Sequence, residues 1–405
     1  MTHAARNYLA TTGATSTRHA HTDAGIAAAV FEIVQDREAF LALRPEWDAL
    51  FNRAGEPHQV FQSHVVLRHW MDHYLDNRSR AFIVTARRQG RLVMVWPLLA
   101  RRRFGVETVG FMGSPVAQFG DILVEQGPDR GALIAAGWAA LRARSVDLFE
   151  ARKARADSLL TRSRLFAGAR ETDRQEAPYA ELARRVGPDG GPSEAYSARE
   201  RSNYRRRLRR LAERGELTLG MVAPSQDAAE FALTAIAMKQ AALRRHSVMA
   251  PTVSDPRFAA FFGALAADDT NGSPLRVAII RCAGEEIGID LAFDCKGATF
   301  GHVIATHPDH ERGGIGGLLV HHSFACAAAR GSAVFDMLAP ADLYKRDHAD
   351  GVTTVSDYLL PLTVKGRVAA LFSPGRWRPF LKSAMRTLPP TVTRRLASWA
   401  YSGKN

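Results

Sequence analysis

Residues 307–319 read HPDHERGGIGGLL and place four glycines in five positions. They follow an apolar alternating run, GATFGHVIAT, and precede a long apolar pattern of helical period. A strand that ends in a glycine-rich turn and opens a helix is a physical device. The first N–H groups of a helix have no partner within it, and glycine leaves them open to close approach. Bare amides and the helix dipole together favour an anion such as phosphate. The turn fits neither the G-x-G-x-x-G dinucleotide fingerprint nor the P-loop, because no Lys-Ser/Thr pair follows.

The elements before it also exclude a Rossmann arrangement. LRVAIIRC, EIGIDLAFD and ATFGHVIAT are three strands joined by tight turns, which makes an antiparallel meander. After the glycines the pattern predicts a helix over 315–330, a strand at SAVFDML, a helical turn at ADLYKRDHA and a strand over 352–362. Upstream, Ser197 and Glu200 form an S-x-x-E capping box opening an arginine-rich helix that runs to Gly215. A strand at 216–222 and helices at 225–246 and 255–267 follow.

The first half has the same coarse order. VFEIV is a strand, 36–51 is helical, and Ser63 caps HVVLRHWMDHYL. Residues 81–102 read as a hairpin, 108–112 and 121–125 as short strands, 129–144 as a helix, 146–150 as a strand and 154–166 as a helix. Glycine and proline cluster in RRVGPDGGPSEA, the clearest linker. The expected fold is α/β (α+β): two tandem, related lobes, each a mixed, mostly antiparallel sheet flanked by helices. The expected boundaries are a disordered tail over 1–29, a lobe over 30–186, a linker over 187–196, a second lobe over 197–365 and a basic amphipathic tail over 366–405.

Net charge is +13 in 405 residues, concentrated in RERSNYRRRLRRLAERG and in the last 30 residues. Such a balance attracts nucleic acid, lipid headgroups or a phosphorylated cofactor. In the arginine helix Tyr204, Leu208 and Leu211 form a packing stripe and the arginines a solvated face. No aromatic interleaving supports stacking on single-stranded RNA. No apolar run reaches about 18 residues, and the first residues lack an apolar leader core, so a cytoplasmic location is the default expectation. Trp377, Phe380, Leu381 and Trp399 among Arg and Lys suit peripheral contact with the inner face of a membrane. Three cysteines without C-x-x-C spacing, and histidines 302, 307, 310, 321 and 322 without H-E-x-x-H spacing, give no expected disulfide or metal site.

Meander, glycine turn, helix and strand in this order resemble the GNAT acyltransferases. The turn resembles their pyrophosphate loop, Q/R-x-x-G-x-G/A, in the frame Glu311-Arg312-Gly313-Gly314-Ile315-Gly316, with Glu311 at the Gln/Arg position. The order of FQSHVVLRHW, SARERSNYRRRLRRLAERGEL and the segment from EIGIDLAF to FDMLAPADLYKRD resembles the CelD/BcsL-type acetyltransferases of cellulose and exopolysaccharide loci. Those pair two GNAT-like lobes, as the Fem-type aminoacyltransferases do. The resemblance implies acetyl-CoA or another acyl-CoA as co-substrate, and an amine or hydroxyl acceptor of saccharide type. It implies cofactor contacts at Ile304, Thr306, Arg312, Gly313, Gly314, Ile315, Gly316 and Lys345. It makes Tyr344 the candidate general acid for the leaving thiolate. Asp290 and His302 are rival bases: alternation puts Asp290 and Asp294 on one face of their strand, and His302 with Phe300 and Ile304 on one face of the next. Asp121 resembles an acidic position at the interface of two-lobe enzymes. Two alternatives stand beside this reading: a transferase using aminoacyl-tRNA, and a non-catalytic lobe pair scaffolding a polysaccharide synthase. DNA is not an expected partner.

Overall fold

A computed structural model describes residues 19–20, 29–163 and 165–373. Most of the expected N-terminal tail and the basic tail beyond residue 373 lie outside the described residues. Among the described residues, sixteen strands form two sheets. The strands of the first half are β1 (His19–Ala20), β2 (Val30–Val34), β3 (Ser79–Ala81), β4 (Ile83–Arg88), β5 (Arg91–Trp96), β6 (Leu98–Arg103), β7 (Val106–Phe111), β8 (Leu123–Val124), β9 (Leu148–Arg155) and β10 (Arg170–Glu181). Those of the second half are β11 (Leu217–Val222), β12 (Leu275–Cys282), β13 (Glu285–Cys295), β14 (Ala298–Thr306), β15 (Val334–Asp336) and β16 (Gly351–Pro361).

The smaller sheet runs β1-β2-β4-β5-β8 and the larger β11-β12-β13-β14-β15-β10-β16-β9-β7-β6-β3. Two pairs in the larger sheet are parallel, β14 with β15 and β7 with β9. Each is joined through a helix, Ile315–Ala329 in one case and Arg130–Arg142 in the other, as a parallel crossover requires. Strand β10 lies between β15 and β16, and β16 lies between β10 and β9. Each half thus sends its last strand into the other, and one continuous sheet results.

The sequence pattern misses β10. Its residues, RETDRQEAPYAE, are polar through the first turns of the strand and include Pro178, so no periodicity marks them. The helix expected over 154–166 is also shorter. Strand β9 continues to Arg155, and only Leu159–Arg162 is helical. Arg155 is drawn in by a buried ion pair with Asp336 of β15 (2.6 Å).

The largest core is shared by both halves. The 3₁₀ turn Pro57–Gln62 sends Phe61 against Phe293 (5.2 Å between ring centroids) and Phe300 (6.1 Å). Trp47, Trp70, Phe261 and Phe262 lie in the same cluster, all essentially inaccessible. The capping box at Ser197 is present, and Tyr204, Leu208 and Leu211 pack against β12 and the helix Ile315–Ala329. Among the described residues no helix is long and apolar enough to cross a membrane, and Cys282, Cys295 and Cys326 are free thiols.

Candidate functional site

The glycine turn resolves into a 3₁₀ turn, Pro308–Gly313, and the helix Ile315–Ala329. Gly314 is the N-cap residue, with φ 73° and ψ 29°. This left-handed conformation suits glycine, because a side chain there clashes with its own backbone. A second constraint comes from the arginine helix. A Cβ at Gly314 would lie 2.5 Å from Arg207 Nε, and one at Gly317 would lie 3.0 Å from Arg207 Nη1. The Arg207 guanidinium therefore lies across the mouth of the helix, while Gly316 faces open space. Gly288 of β13 lets the same helix settle on the sheet: a Cβ there would meet Ile315 Cγ2 at 3.2 Å.

Further along this helix, Val320, Ser323 and Phe324 form one wall of a cavity of about 220 Å³. Asp290, His302, Ile304, Tyr344 and Lys345 line it too, with Lys239 and Asp342. The fold thus brings five of the expected residues together.

Asp290 faces this cavity because β13 alternates: Ile289, Leu291 and Phe293 turn to the large core and Asp290 turns away. It is buried, and burial pushes its carboxyl up to about 6, against the pull of Ser323, Arg330 and Lys239. Tyr344 stands on the short helix Leu343–His348, 40% exposed, and its partial burial raises its pKa, helped by Asp342 and Asp290. It is a protonated donor at neutral pH.

His302 differs from the strand-face expectation. Leu291 pairs with Val303 and Ala292 with Gly301, so His302 is the extra residue of a β-bulge. The bulge breaks the alternation. Phe300 and Val303 enter the large core, and Ile304 packs on the helix side. The His302 ring sits among Phe262, Phe293 and Phe258, with centroids 4.9, 5.7 and 6.1 Å away. Its Nε2 is 2.8 Å from Val116 O and 3.1 Å from Gln118 Nε2. Burial lowers its pKa to about 4. This imidazole ties β14 to the first half and is a weak base.

Asp121 does not line this cavity. It is fully buried and accepts from Gln59 Nε2 (2.8 Å), Leu159 N and Leu160 N (3.2 Å each), with His58 Nε2 at 3.3 Å. Its carboxylate caps the Leu159–Arg162 turn. Lys345 is likewise committed: its Nζ donates to Leu338 O (2.9 Å) and Pro340 O (3.0 Å), and burial lowers it to about 8. It stays at the cavity wall and is not extended toward the glycine turn. Thr306 pairs with Gly288 at the end of β14 and does not line the cavity. Of Arg312 and Gly313, only the backbone lies within the described residues, in the 3₁₀ turn.

Neither Lys239 nor Arg207 is singled out by any motif in the sequence. Lys239 Nζ donates to Ile304 O (3.1 Å), and burial lowers its pKa against the pull of Asp342 and Asp290. Both residues carried a signal. Lys239 continues the buried stripe Ala232, Ala235, Ile236 of the helix Gln226–Arg245, and Arg207 falls between Tyr204 and Leu208 on the packing stripe of its own helix. A cation inside an apolar stripe is the pattern to look for.

A larger groove of about 1030 Å³ opens beside the cavity, and the two share Ala339 and Pro340. Phe111, Met112, Phe119 and Val248 supply its apolar floor, and Arg101, Glu150, Arg152, Lys153, Asp173 and Asp357 its charges.

Residues 198–346 match the family model described as an acetyltransferase (GNAT) domain. The fold is the GNAT acyltransferase fold. No curated protein matched the chain. Among solved structures, FemX is 10% identical, aligned over 78% of this chain and 96% of that one, with a TM-score of 0.54. The C-terminal domain of an Agrobacterium fabrum protein described as a lysylphosphatidylglycerol synthetase is 14% identical over 82% of this chain and 95% of that one, TM-score 0.51. L-PGS from Bacillus licheniformis is 11% identical over 82% and 95%, TM-score 0.50. At such identities the likeness is one of fold. All three relatives align over most of both chains, so the GNAT-fold likeness extends well beyond the matched domain.

Proposed function

We propose that the protein is an acyltransferase that binds acyl-CoA in its second half and passes the acyl group to an amine or hydroxyl. The observation that carries this reading is Gly314 in a left-handed cap beneath Arg207. It joins a helix mouth, a close backbone approach and a guanidinium, three features that suit a diphosphate. From Ile315 to Ser323 the helix rises roughly 12 Å at 1.5 Å per residue. An extended pantetheine arm spans that distance and delivers the thioester to the cavity.

In this reading Asp290 accepts the proton of the attacking amine or hydroxyl. The acceptor bonds to the carbonyl carbon, the C–S bond breaks, and Tyr344 protonates the thiolate. The backbone at the end of β14, held by Lys239 at Ile304 O, polarises the thioester carbonyl. The acceptor lies in the larger groove and reaches the cavity past Ala339 and Pro340. Its apolar floor and charged rim suit an amphiphilic acceptor, a lipid-linked saccharide among them. A role in cellulose or exopolysaccharide synthesis would follow from such an acceptor.

One observation favours a second reading. Lys239, Asp290 and Asp342 make the cavity polar for an acetyl methyl group, which suits an aminoacyl group delivered from tRNA. A thermal-shift titration with acetyl-CoA, CoA and aminoacyl-tRNA separates the two. Stabilisation by CoA that disappears in Gly314→Val supports the first. Stabilisation by tRNA alone overturns it.

A further inference from the structure

The turn that leads into the glycines also gathers three metal-ligating side chains. His307 N–H donates to Ile287 O (3.0 Å), which carries the β13–β14 ladder one residue past Thr306. His310 N–H then donates to His307 O (3.0 Å) as the chain tightens into the 3₁₀ turn. Side chains at i and i+3 eclipse in such a turn. The two imidazoles accordingly lie together, with centroids 5.6 Å apart. Glu285 opens β13 after the tight turn at Gly284 and reaches both rings: Oε1 is 3.4 Å from His307 Nε2 and Oε2 is 3.5 Å from His310 Nε2. One ligand atom from each residue lies within 4.8 Å of the others.

We propose that Glu285, His307 and His310 form a site for a divalent transition metal of the zinc type. Two imidazole nitrogens and one carboxylate oxygen are a donor set such ions accept. Bonds of about 2.0–2.2 Å set tetrahedral ligand atoms roughly 3.3 Å apart; each Glu285 oxygen already stands near that distance from one imidazole nitrogen, and a small turn of the carboxylate brings one oxygen between the two rings. Glu285 is 54% exposed along its side chain, so solvent reaches the site and a water completes the coordination. His307 Nδ1 accepts the Asp309 N–H at 3.3 Å. Coordination through Nε2 moves the ring proton to Nδ1 and gives up this long bond. The ion fastens the turn to the start of β13, immediately before the helix mouth. Sequence spacing could not reveal it, because Glu285 lies 22 residues upstream of His307 and arrives through strand pairing.

The test uses the full chain and zinc itself, titrated in competition with a chromogenic chelator, with cobalt(II) absorption as a second readout. His3, His19 and His21 near the N-terminus are another source of imidazoles, so His19→Asn/His21→Asn serves as a control. The expected result is one equivalent bound, a raised Tm, and visible cobalt bands of low-coordinate type. Glu285→Gln and His310→Asn should each weaken binding by more than about tenfold, the scale on which even outer-shell changes act at metal sites. The control variant should bind unchanged. Circular dichroism verifies that each variant folds, and His307→Gln replaces any that does not. Absence of binding, or binding that survives these variants and falls in the control, overturns the proposal.

Discussion

Arg207 Nε lies 2.5 Å from where a Cβ on Gly314 would stand. The arginine helix and the glycine turn, about a hundred residues apart in sequence, thus meet at one helix mouth. Arg207→Ala should raise the dissociation constant for CoA by about tenfold, the loss of a charge-assisted contact worth roughly 1.5–3 kcal/mol or less where solvated. Gly314→Val should abolish CoA binding and cost about 1–3 kcal/mol of stability through its left-handed backbone. Isothermal titration with CoA and thermal unfolding read the two effects separately. Unchanged CoA affinity in both variants would remove the turn from the donor site.

Asp290 titrates near 6, so kcat/KM should climb as pH rises through that value and the carboxylate forms. Asp290→Asn should lower the rate by about 10²–10⁴-fold and erase this limb of the profile. Stability moves the opposite way. The folded pKa is raised above the ordinary 3.8, so the contribution is fully present below 3.8 and is lost as pH rises through about 6. At pH 8 the Asn variant should be more stable by roughly 3 kcal/mol, on the scale of 1.36 kcal/mol per pKa unit.

Tyr344→Phe should cut turnover by about 10²-fold while leaving CoA affinity within a factor of about two, because only a proton donor is removed. Single-turnover kinetics with a thiol reagent measures the first and a CoA titration the second. A variant with wild-type turnover would assign thiolate protonation to water or another group.

His302 has its pKa depressed from 6.5 to about 4 by burial. Its stabilising contribution is therefore present above 6.5 and is lost as pH falls through 4. On the same scale it amounts to roughly 3 kcal/mol of acid destabilisation. In His302→Asn the fall in Tm between pH 6.5 and 4 should be visibly shallower. An unchanged acid limb would show that the ring protonates freely in the folded protein.

Phe61 joins the first half to β13 and β14. Phe61→Ala should cost about 3–5 kcal/mol, as large-to-small core changes do. Because the core is shared, urea unfolding should remain a single transition. Two separated transitions would mean that the halves unfold independently.

Much of the site was legible in the chain itself. The meander, glycine turn and helix are local, and 2- and 3.6-residue periods with a capping box expose them without tertiary context. Alternation along β13 alone turned Asp290 away from Ile289, Leu291 and Phe293. The fold class followed from element order. What depended on distant partners was hidden. Strand β10 is polar because its first residues stay exposed or half-buried, with Asp173 and Gln175 lining the larger groove, so it has no apolar signature. The bulge at His302 is a mismatch between two strands, and no single strand records it. Asp121 resembles an interface acid in the sequence, and its four donors, from Gln59, His58 and the Leu159–Leu160 turn, are brought to it only by the fold.

The sequence by itself determined which segments would be strands and helices in the second half, and that Gly314 would open a helix, since those outcomes depend on local backbone sterics and spacing. Tertiary structure alone decided that β10 and β16 cross between the halves, that Arg207 covers the helix mouth, and that Glu285 meets His307 and His310. Each of these joins residues far apart in the chain through sheet pairing or helix packing, and hydrogen bonding and burial there are satisfied only once both partners are in place.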